Sequence, residues 1–264
     1  MKNHFDNPND SLRLAGILKD KIFIGPKYVN FDITNICNLS CEYCTTHCNF
    51  MKQPKRNFDI DLFKRIIDDC CKLRVEAIHL SGEGETMLHS SIKAMINYVR
   101  LNNLKLTINT NATVLRKFKS ELTGIYCLNI NLSATNNRSY QELHGGTKGL
   151  FNRVLDNILM ITKSKKQKNI ITPFVHITFI LTKRSFKEMV MAIKLANKVG
   201  ANGIRFKMPF LKPQNNHVAI TKECLGDFRE EIKRAVKIAC LIKLKNNLND
   251  IGKLLLNSNF CSLS

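Results

Sequence analysis

Strand and helix patterns alternate six times along this chain and predict an α/β fold, an incomplete (β/α)6 TIM-like barrel. Strand signals fall near residues 28–34, 77–82, 104–110, 125–133, 173–181 and 202–208. Helical periodicity falls near 58–73, 88–102, 113–122, 147–165, 184–198 and 221–245, the order of a parallel sheet with helical crossovers. Six units are too few for a closed eight-stranded barrel, so the sheet is expected to stay open. The strands also alternate internally, whereas parallel strands covered on both faces read as near-continuous apolar runs. Val29, Phe31 and Ile33 oppose Asn30, Asp32 and Thr34; Leu106 and Ile108 oppose Lys105, Thr107 and Asn109; Ile204, Phe206 and Met208 oppose Arg205 and Lys207. A period of two gives each set its own face. Helices then cover the apolar faces, and the polar faces line an interior suited to polar ligands. An antiparallel sheet with one wet face would alternate too, but hairpins need no long helical crossovers.

In chain order, residues 1–27 form a lead-in. Asp10 and Ser11 are placed to cap a short helix over 12–18, and Pro26 ends the segment. The core spans 28–208. Its first helix has one apolar face, built from Ile60, Phe63, Ile66, Ile67, Cys70 and Cys71. Residues 209–245 supply a C-terminal helix that completes the core through Leu225, Phe228, Ile232, Val236 and Ala239, and 246–264 form a short tail.

At 264 residues and 44% hydrophobic, the chain can bury one large α/β core. No apolar signal region follows Met1-Lys2-Asn3, and no run approaches the length of a membrane span. A cytoplasmic protein with reduced thiols and no membrane partner is expected. The formal net charge of +20 raises nucleic acid as a partner. Only Lys163-Ser164-Lys165-Lys166-Gln167-Lys168 is a true cluster, and no aromatic interleaves it for base stacking. Lysines spread over solvated helix faces explain the charge, so nucleic acid is not expected, while an anionic substrate fits. Cys70, Cys71, Cys127, Cys224 and Cys240 sit in apolar patterns and read as small buried hydrophobes.

The chemistry concentrates after the first strand, in Cys37-Asn38-Leu39-Ser40-Cys41-Glu42-Tyr43-Cys44. Three thiols spaced C-x-x-x-C-x-x-C can converge on one iron–sulfur cluster or one soft metal. Three on a four-iron cube leave one iron open, whereas a structural zinc site closes on four. Cys48 therefore keeps an alternative standing: a non-catalytic zinc module closed by Cys37, Cys41, Cys44 and Cys48, binding nucleic acid through the basic surface. After the second strand comes Leu80-Ser81-Gly82-Glu83-Gly84-Glu85-Thr86. Its glycines let backbone approach a ligand, and Glu85 can accept from an ammonium. The third strand ends on Asn109-Thr110-Asn111-Ala112. The fourth ends on Leu132-Ser133-Ala134-Thr135-Asn136, followed by Tyr140 and His144-Gly145-Gly146. Such strand ends carry the chemistry of α/β barrels.

Over roughly residues 28–208 these motifs, in this order, resemble the core of the radical S-adenosylmethionine (radical SAM) superfamily. The three cysteines match its signature, and Tyr43 stands where an aromatic is common. Glu83-Gly84-Glu85-Thr86 is similar to the family's G-G-E-P, with Glu83 for the first glycine and Thr86 for the proline. Thr110-Asn111-Ala112 is close to T-N-G, and alanine for that glycine disfavours a positive φ. Ser133 resembles the strand-end serine that contacts the ribose of SAM. The resemblance implies a [4Fe-4S] cluster on Cys37, Cys41 and Cys44, with S-adenosyl-L-methionine held by Tyr43, Gly82, Glu83, Gly84, Glu85, Asn111 and Ser133. It implies an enzyme that takes one electron from an external flavodoxin- or ferredoxin-like reductant and cleaves SAM reductively. The resulting 5′-deoxyadenosyl radical abstracts hydrogen from substrate. A homologue with a structural cluster only is the inactive form of the same reading. Phe23-Ile24-Gly25-Pro26 resembles members with a C-terminal auxiliary iron–sulfur (SPASM-type) domain. That domain has no room before Phe260-Cys261-Ser262-Leu263-Ser264, so a minimal core is expected, or a truncated one whose tail opens the missing domain. The roles of Cys48 and Cys261 stay open. His176, Arg205 and Lys207 are inward-facing candidates on the fifth and sixth strands, for catalysis or for lining the site toward an anionic ligand.

Overall fold

The alternation of apolar and polar residues is realised in six strands: β1 (Tyr28–Asp32), β2 (Ala77–Ser81), β3 (Lys105–Thr110), β4 (Cys127–Asn131), β5 (Phe174–Ile180) and β6 (Gly203–Lys207). They form one sheet in chain order, and every neighbouring pair is parallel. β1 and β6 are its edges, so the (β/α)6 barrel is incomplete. The computed structural model describes residues 8–48 and 54–251. Ile78, Leu80, Leu106, Ile108, Leu128, Ile130, Val175, Ile177 and Phe179 are buried, each contributing about 1.5–3 kcal/mol as a fully buried side chain. The residues between them, such as His79, Asn109, Asn129 and Thr178, are half-buried on the opposite face.

Among the described residues, seven α-helices accompany this sheet: α1 (Pro8–Lys19), α2 (Ile60–Lys72), α3 (Ile92–Leu101), α4 (Asn137–His144), α5 (Leu150–Gln167), α6 (Met189–Lys198) and α7 (Leu225–Leu241). Phe63, Ile67 and Cys70 of α2 and Met95, Ile96 and Val99 of α3 are buried in the same core as the apolar strand residues. No helix among the described residues is long and apolar enough to cross a membrane.

Several expectations need correction. The helix expected over 113–122 is a single 3-10 turn, Leu115–Phe118. A short return along the sheet favours the 3-10 form, which rises about 2.0 Å per residue against 1.5 Å in an α-helix. Conversely, α4 was not expected; Asn136 caps it by accepting from the Ser139 N–H at 3.0 Å. Asp10 lies inside α1 and pairs with Arg13 at 2.7 Å rather than capping. Arg13 also reaches Glu76 at 3.2 Å and the Gly25 carbonyl at 2.9 Å, tying the lead-in to the sheet. Among the cysteines read as core, Cys70 is buried, Cys71, Cys127 and Cys224 are intermediate, and Cys240 is exposed on α7. Cys261 lies outside the described residues.

The β6 edge does not stay bare, and the packing runs past residue 245. The Ile204 N–H donates to the Lys245 carbonyl at 2.9 Å. The Asn247 carboxamide pairs with Phe206 on both sides, accepting from its N–H at 2.8 Å and donating to its carbonyl at 2.9 Å. Leu248 and Ile251 are buried beyond it. Covering an edge in this way satisfies backbone groups that would otherwise invite another chain. Asn247→Ala is expected to cost about 1–3 kcal/mol, the range for a polar group left unpaired. An unchanged urea midpoint would contradict this role.

Candidate active site

One cavity of about 570 Å³ opens where the strands end. Its wall takes Asp32 from β1, Asn109 and Thr110 from β3, Asn131 from β4, Thr178 and Ile180 from β5, and Arg205 and Lys207 from β6. Cys37, Cys41, Tyr43, Cys44, Gly82, Glu83, Gly84, Glu85 and Asn111 join them, with Phe210 and Lys212 from the segment after β6. The polar strand faces thus line the space, as the alternation predicts. Arg205 and Lys207 point into it while Ile204 and Phe206 are buried on the other side.

The thiol-bearing loop is fixed from two directions. The 82–85 turn lies directly against it: the Gly84 N–H donates to the Thr34 carbonyl at 3.0 Å and the Glu85 N–H to the Ile36 carbonyl at 2.8 Å. A Cβ on Gly84 would stand 2.3 Å from the Ile36 oxygen, and one on Gly82 2.5 Å from the Thr34 oxygen. These glycines, which also line the cavity, therefore let the turn approach the cysteine loop's backbone, a second demand on their small size besides the room for a ligand that the sequence suggested. Gly84→Ala is expected to push the loop outward and cost about 1–3 kcal/mol, as overpacking does. A thermal unfolding midpoint equal to that of the wild type would contradict the contact. From the other direction, the end of α4 accepts the Ser40 and Glu42 N–H groups on the His144 and Leu143 carbonyls, at 3.2 and 3.0 Å. Gly145 follows with φ +62°, and a Cβ there would meet the Ser40 oxygen at 2.8 Å.

Burial pushes the Cys37 thiol up to about 11, and neighbouring Glu85 and Cys44 charges add to it. Cys41 is pushed higher, by burial first and then by the Cys44 and Cys37 charges. Buried thiolates that repel one another gain from a cationic metal centre, which supplies the missing counter-charge. The Tyr140 hydroxyl, raised by burial and by the Cys41, Glu85 and Cys37 charges, is buried without a protein partner. Three thiol donors and an unpartnered hydroxyl beside them fit an iron–sulfur cluster. Among the described residues, no three His, Cys, Asp or Glu side chains converge on a single metal ion. Thiolates on separate irons of a cube stand farther apart than those of one zinc, with its Zn–S bonds of about 2.3 Å. Cys48 is buried away from the cavity wall, its thiol facing the Gln214 carbonyl at 3.9 Å, so the four-cysteine zinc site has no support.

Glu85 is buried at the cavity wall and held by three hydrogen bonds, fewer than the roughly four acceptor sites of a carboxylate. Its carboxylate accepts from Thr110 Oγ1 at 2.5 Å, the Asn111 N–H at 2.6 Å and the Met87 N–H at 3.1 Å. Burial pushes its pKa up and these bonds pull it back. One side chain therefore ties the ends of β2 and β3 together. Asn111 donates to Asn38 Oδ1 at 3.0 Å and accepts from Thr113 Oγ1 at 2.7 Å, linking β3 to the cysteine loop. Ala112 does take the positive φ that alanine disfavours, +62°. Thr110 Oγ1 accepts its N–H at 3.0 Å and Asn157 donates to its carbonyl at 2.8 Å. Those contacts offset a left-handed penalty of about 1–2 kcal/mol.

Two expected members are elsewhere. Ser133 is fully buried, off the cavity wall; its hydroxyl donates to Asn131 Oδ1 at 3.2 Å and accepts from the Ile180 N–H at 2.9 Å. It serves as a tie between β4 and β5. His176 lies on the inner face beside Gly203 but does not reach the cavity wall; burial, then Arg205, Lys245 and Lys165, lower its pKa.

The residue that sequence reasoning noted without giving it a role is His144, wholly buried at the end of α4. Its Nε2 accepts from the Ser133 N–H at 3.0 Å, which leaves the ring proton on Nδ1. Nδ1 lies 3.3 Å from Cys41 Sγ and 3.2 Å from Tyr43 Oη. Burial lowers its pKa to about 3, so the ring is neutral. The available signal was the four-residue spacing of Tyr140 and His144, which puts both on one helix face.

A family model described as the radical SAM superfamily matches residues 31–196. Over 171 residues the chain is 25% identical to the tungsten-containing aldehyde ferredoxin oxidoreductase cofactor-modifying protein of Pyrococcus furiosus, covering 62% of this chain and 46% of that protein. Over 143 residues it is 27% identical to the antilisterial bacteriocin subtilosin biosynthesis protein AlbA of Bacillus subtilis, covering 52% of this chain and 31% of AlbA. The chain thus spans less than half the length of either relative. Its fold is similar to Streptococcus suis SuiB bound to S-adenosylmethionine, with a TM-score of 0.69 at 17% identity, over 94% of this chain and 56% of SuiB.

Proposed function

This chain belongs to the radical SAM superfamily, and on that premise we propose that it is a radical SAM enzyme whose substrate carries a carboxylate or phosphate. Cys37, Cys41 and Cys44 would hold the [4Fe-4S] cluster, and Tyr43, Glu85, Asn111 and the Gly82–Gly84 turn would border S-adenosyl-L-methionine. When bound, cluster and SAM supply one-electron reductive cleavage and hence hydrogen-atom abstraction, fed by an external reductant. The chain's own residues position and shield. The Gly84 and Glu85 amides and the end of α4 hold the cysteine loop still, and the Glu85 carboxylate keeps the β3 end in register with it. Arg205 and Lys207 supply charge for an anionic substrate, with Lys212 at the same cavity. Lys207 is lowered by burial and then by Arg205 beside it, and a bound anion relieves that repulsion. The reading rests on one observation: a single cavity joins the thiols beyond β1 to the cations of β6. Incubating anaerobically reconstituted protein with SAM and dithionite should release 5′-deoxyadenosine. No product from cluster-loaded, SAM-binding protein would contradict an enzyme.

Glu85→Ala is expected to weaken SAM binding roughly tenfold or more, the loss of a charge-assisted bond costing about 1.5–3 kcal/mol. The same change removes the acceptor of the Asn111 N–H, so the thermal midpoint should fall with it. Unchanged SAM affinity in a cluster-loaded variant would contradict the placement of Glu85 at the cofactor.

A further inference from the structure

We infer that His144 is a redox-positioning residue, donating its Nδ1–H to the Cys41 thiolate and thereby raising the reduction potential of the cluster that Cys41 helps to hold. The inference rests on the radical SAM reading of Cys41. The tautomer follows from geometry: the Ser133 N–H is a donor 3.0 Å from Nε2, so Nε2 must accept and Nδ1 must carry the proton. That proton faces two acceptors, Tyr43 Oη at 3.2 Å and Cys41 Sγ at 3.3 Å. Tyr43 directs its own proton toward Asn131 Oδ1 at 3.3 Å. As a cluster ligand Cys41 would present a thiolate, the charged acceptor of the two, and charge-assisted bonds are roughly twice as strong as neutral ones.

The ring cannot turn away. It stacks on Tyr140 at 4.5 Å and 17°, meets Tyr43 edge-on at 5.7 Å, and has no solvent exposure. Its own carbonyl accepts from Ser40, the neighbour of Cys41, at 3.2 Å. Cys44 receives comparable donors from the backbone instead, the His47 N–H at 3.2 Å and the Thr46 N–H at 3.4 Å. A donor aimed at a ligand sulfur draws off negative charge. The one-electron-reduced cluster carries more of that charge, so it gains more from the bond and its potential rises.

The test uses iron-replete wild type, His144→Phe and His144→Gln, each titrated in dithionite without SAM and read by electron paramagnetic resonance. His144→Phe keeps the aromatic stack and loses the donor. Its ratio of reduced to oxidised cluster at a fixed poise should fall roughly tenfold, a midpoint about 59 mV lower for one electron. His144→Gln can accept from Ser133 and donate to sulfur, so its midpoint should return toward the wild type. Equal midpoints for wild type and His144→Phe, or the same drop in both variants, would overturn the inference. Should His144→Phe fail to load iron, pulsed spectra of the reduced wild type labelled with 15N-histidine decide instead. Coupling to a histidine nitrogen is expected, and its absence overturns the bond. A wild type that assembles no cluster would overturn the assignment of Cys37, Cys41 and Cys44, and this inference with it.

Discussion

Cys37→Ala, Cys41→Ala and Cys44→Ala are each expected to abolish the cluster after anaerobic reconstitution, while Cys48→Ala keeps it. All three thiols line the one cavity, and a cube held by two thiolates loses one of its protein ligands. Cys48 faces the Gln214 carbonyl instead. Iron and sulfide content, with absorbance near 400 nm, check this. Removing the buried Cys48 thiol should cost some stability and no iron. Iron loss in Cys48→Ala equal to that in the other three would mean that the ligands are wrongly assigned.

Lys207→Met and Arg205→Met are expected to weaken binding of pyrophosphate, used as a probe anion, roughly ten- to a hundredfold each, because hydrogen bonds to charged groups contribute about 1.5–3 kcal/mol. Substrate-free formation of 5′-deoxyadenosine should stay within about twofold of the wild type, since among the described residues neither side chain makes a hydrogen bond or ion pair to the cysteine loop or the 82–85 turn. Titration calorimetry reads the first quantity and chromatography the second. Equal loss of both would show that β6 serves the cofactor or the fold. Unchanged anion binding would remove the argument for an anionic substrate. Because Arg205 and Lys207 are themselves solvent-exposed, the binding should weaken steeply with salt.

Much of this arrangement was legible because the signals are local. An open barrel has a wet inner face, so Asn109, Asn131, Arg205 and Lys207 alternate with apolar neighbours instead of disappearing into a continuous run. Three thiols within one short loop need no long-range contact to be recognised. What the sequence did not disclose depends on partners distant in the chain. The Ser133 hydroxyl looked free to contact a ligand, but the Ile180 N–H uses it. Gly82 and Gly84 looked like room for a ligand, and the cysteine loop's backbone, packed against the same turn, is a second neighbour that the local motif does not show. His144 acts on Cys41, a residue 103 positions away, and only the docking of the α4 end against the loop brings them together. Ala112 shows a different limit: its intrinsic preference argues against a positive φ, and hydrogen bonds donated by Asn157 to its carbonyl and by its own N–H to Thr110 Oγ1 overrule it.

The central claim is that the cavity holds a cluster whose open iron meets SAM. It is tested most directly by the resonance spectrum of the dithionite-reduced wild type, recorded with and without saturating SAM. The expected result is a [4Fe-4S] signal in the reduced protein whose g-values shift when SAM is added, because on this account SAM would enter the coordination of the iron that no cysteine holds. An iron-replete protein whose cluster spectrum is indifferent to SAM would contradict it.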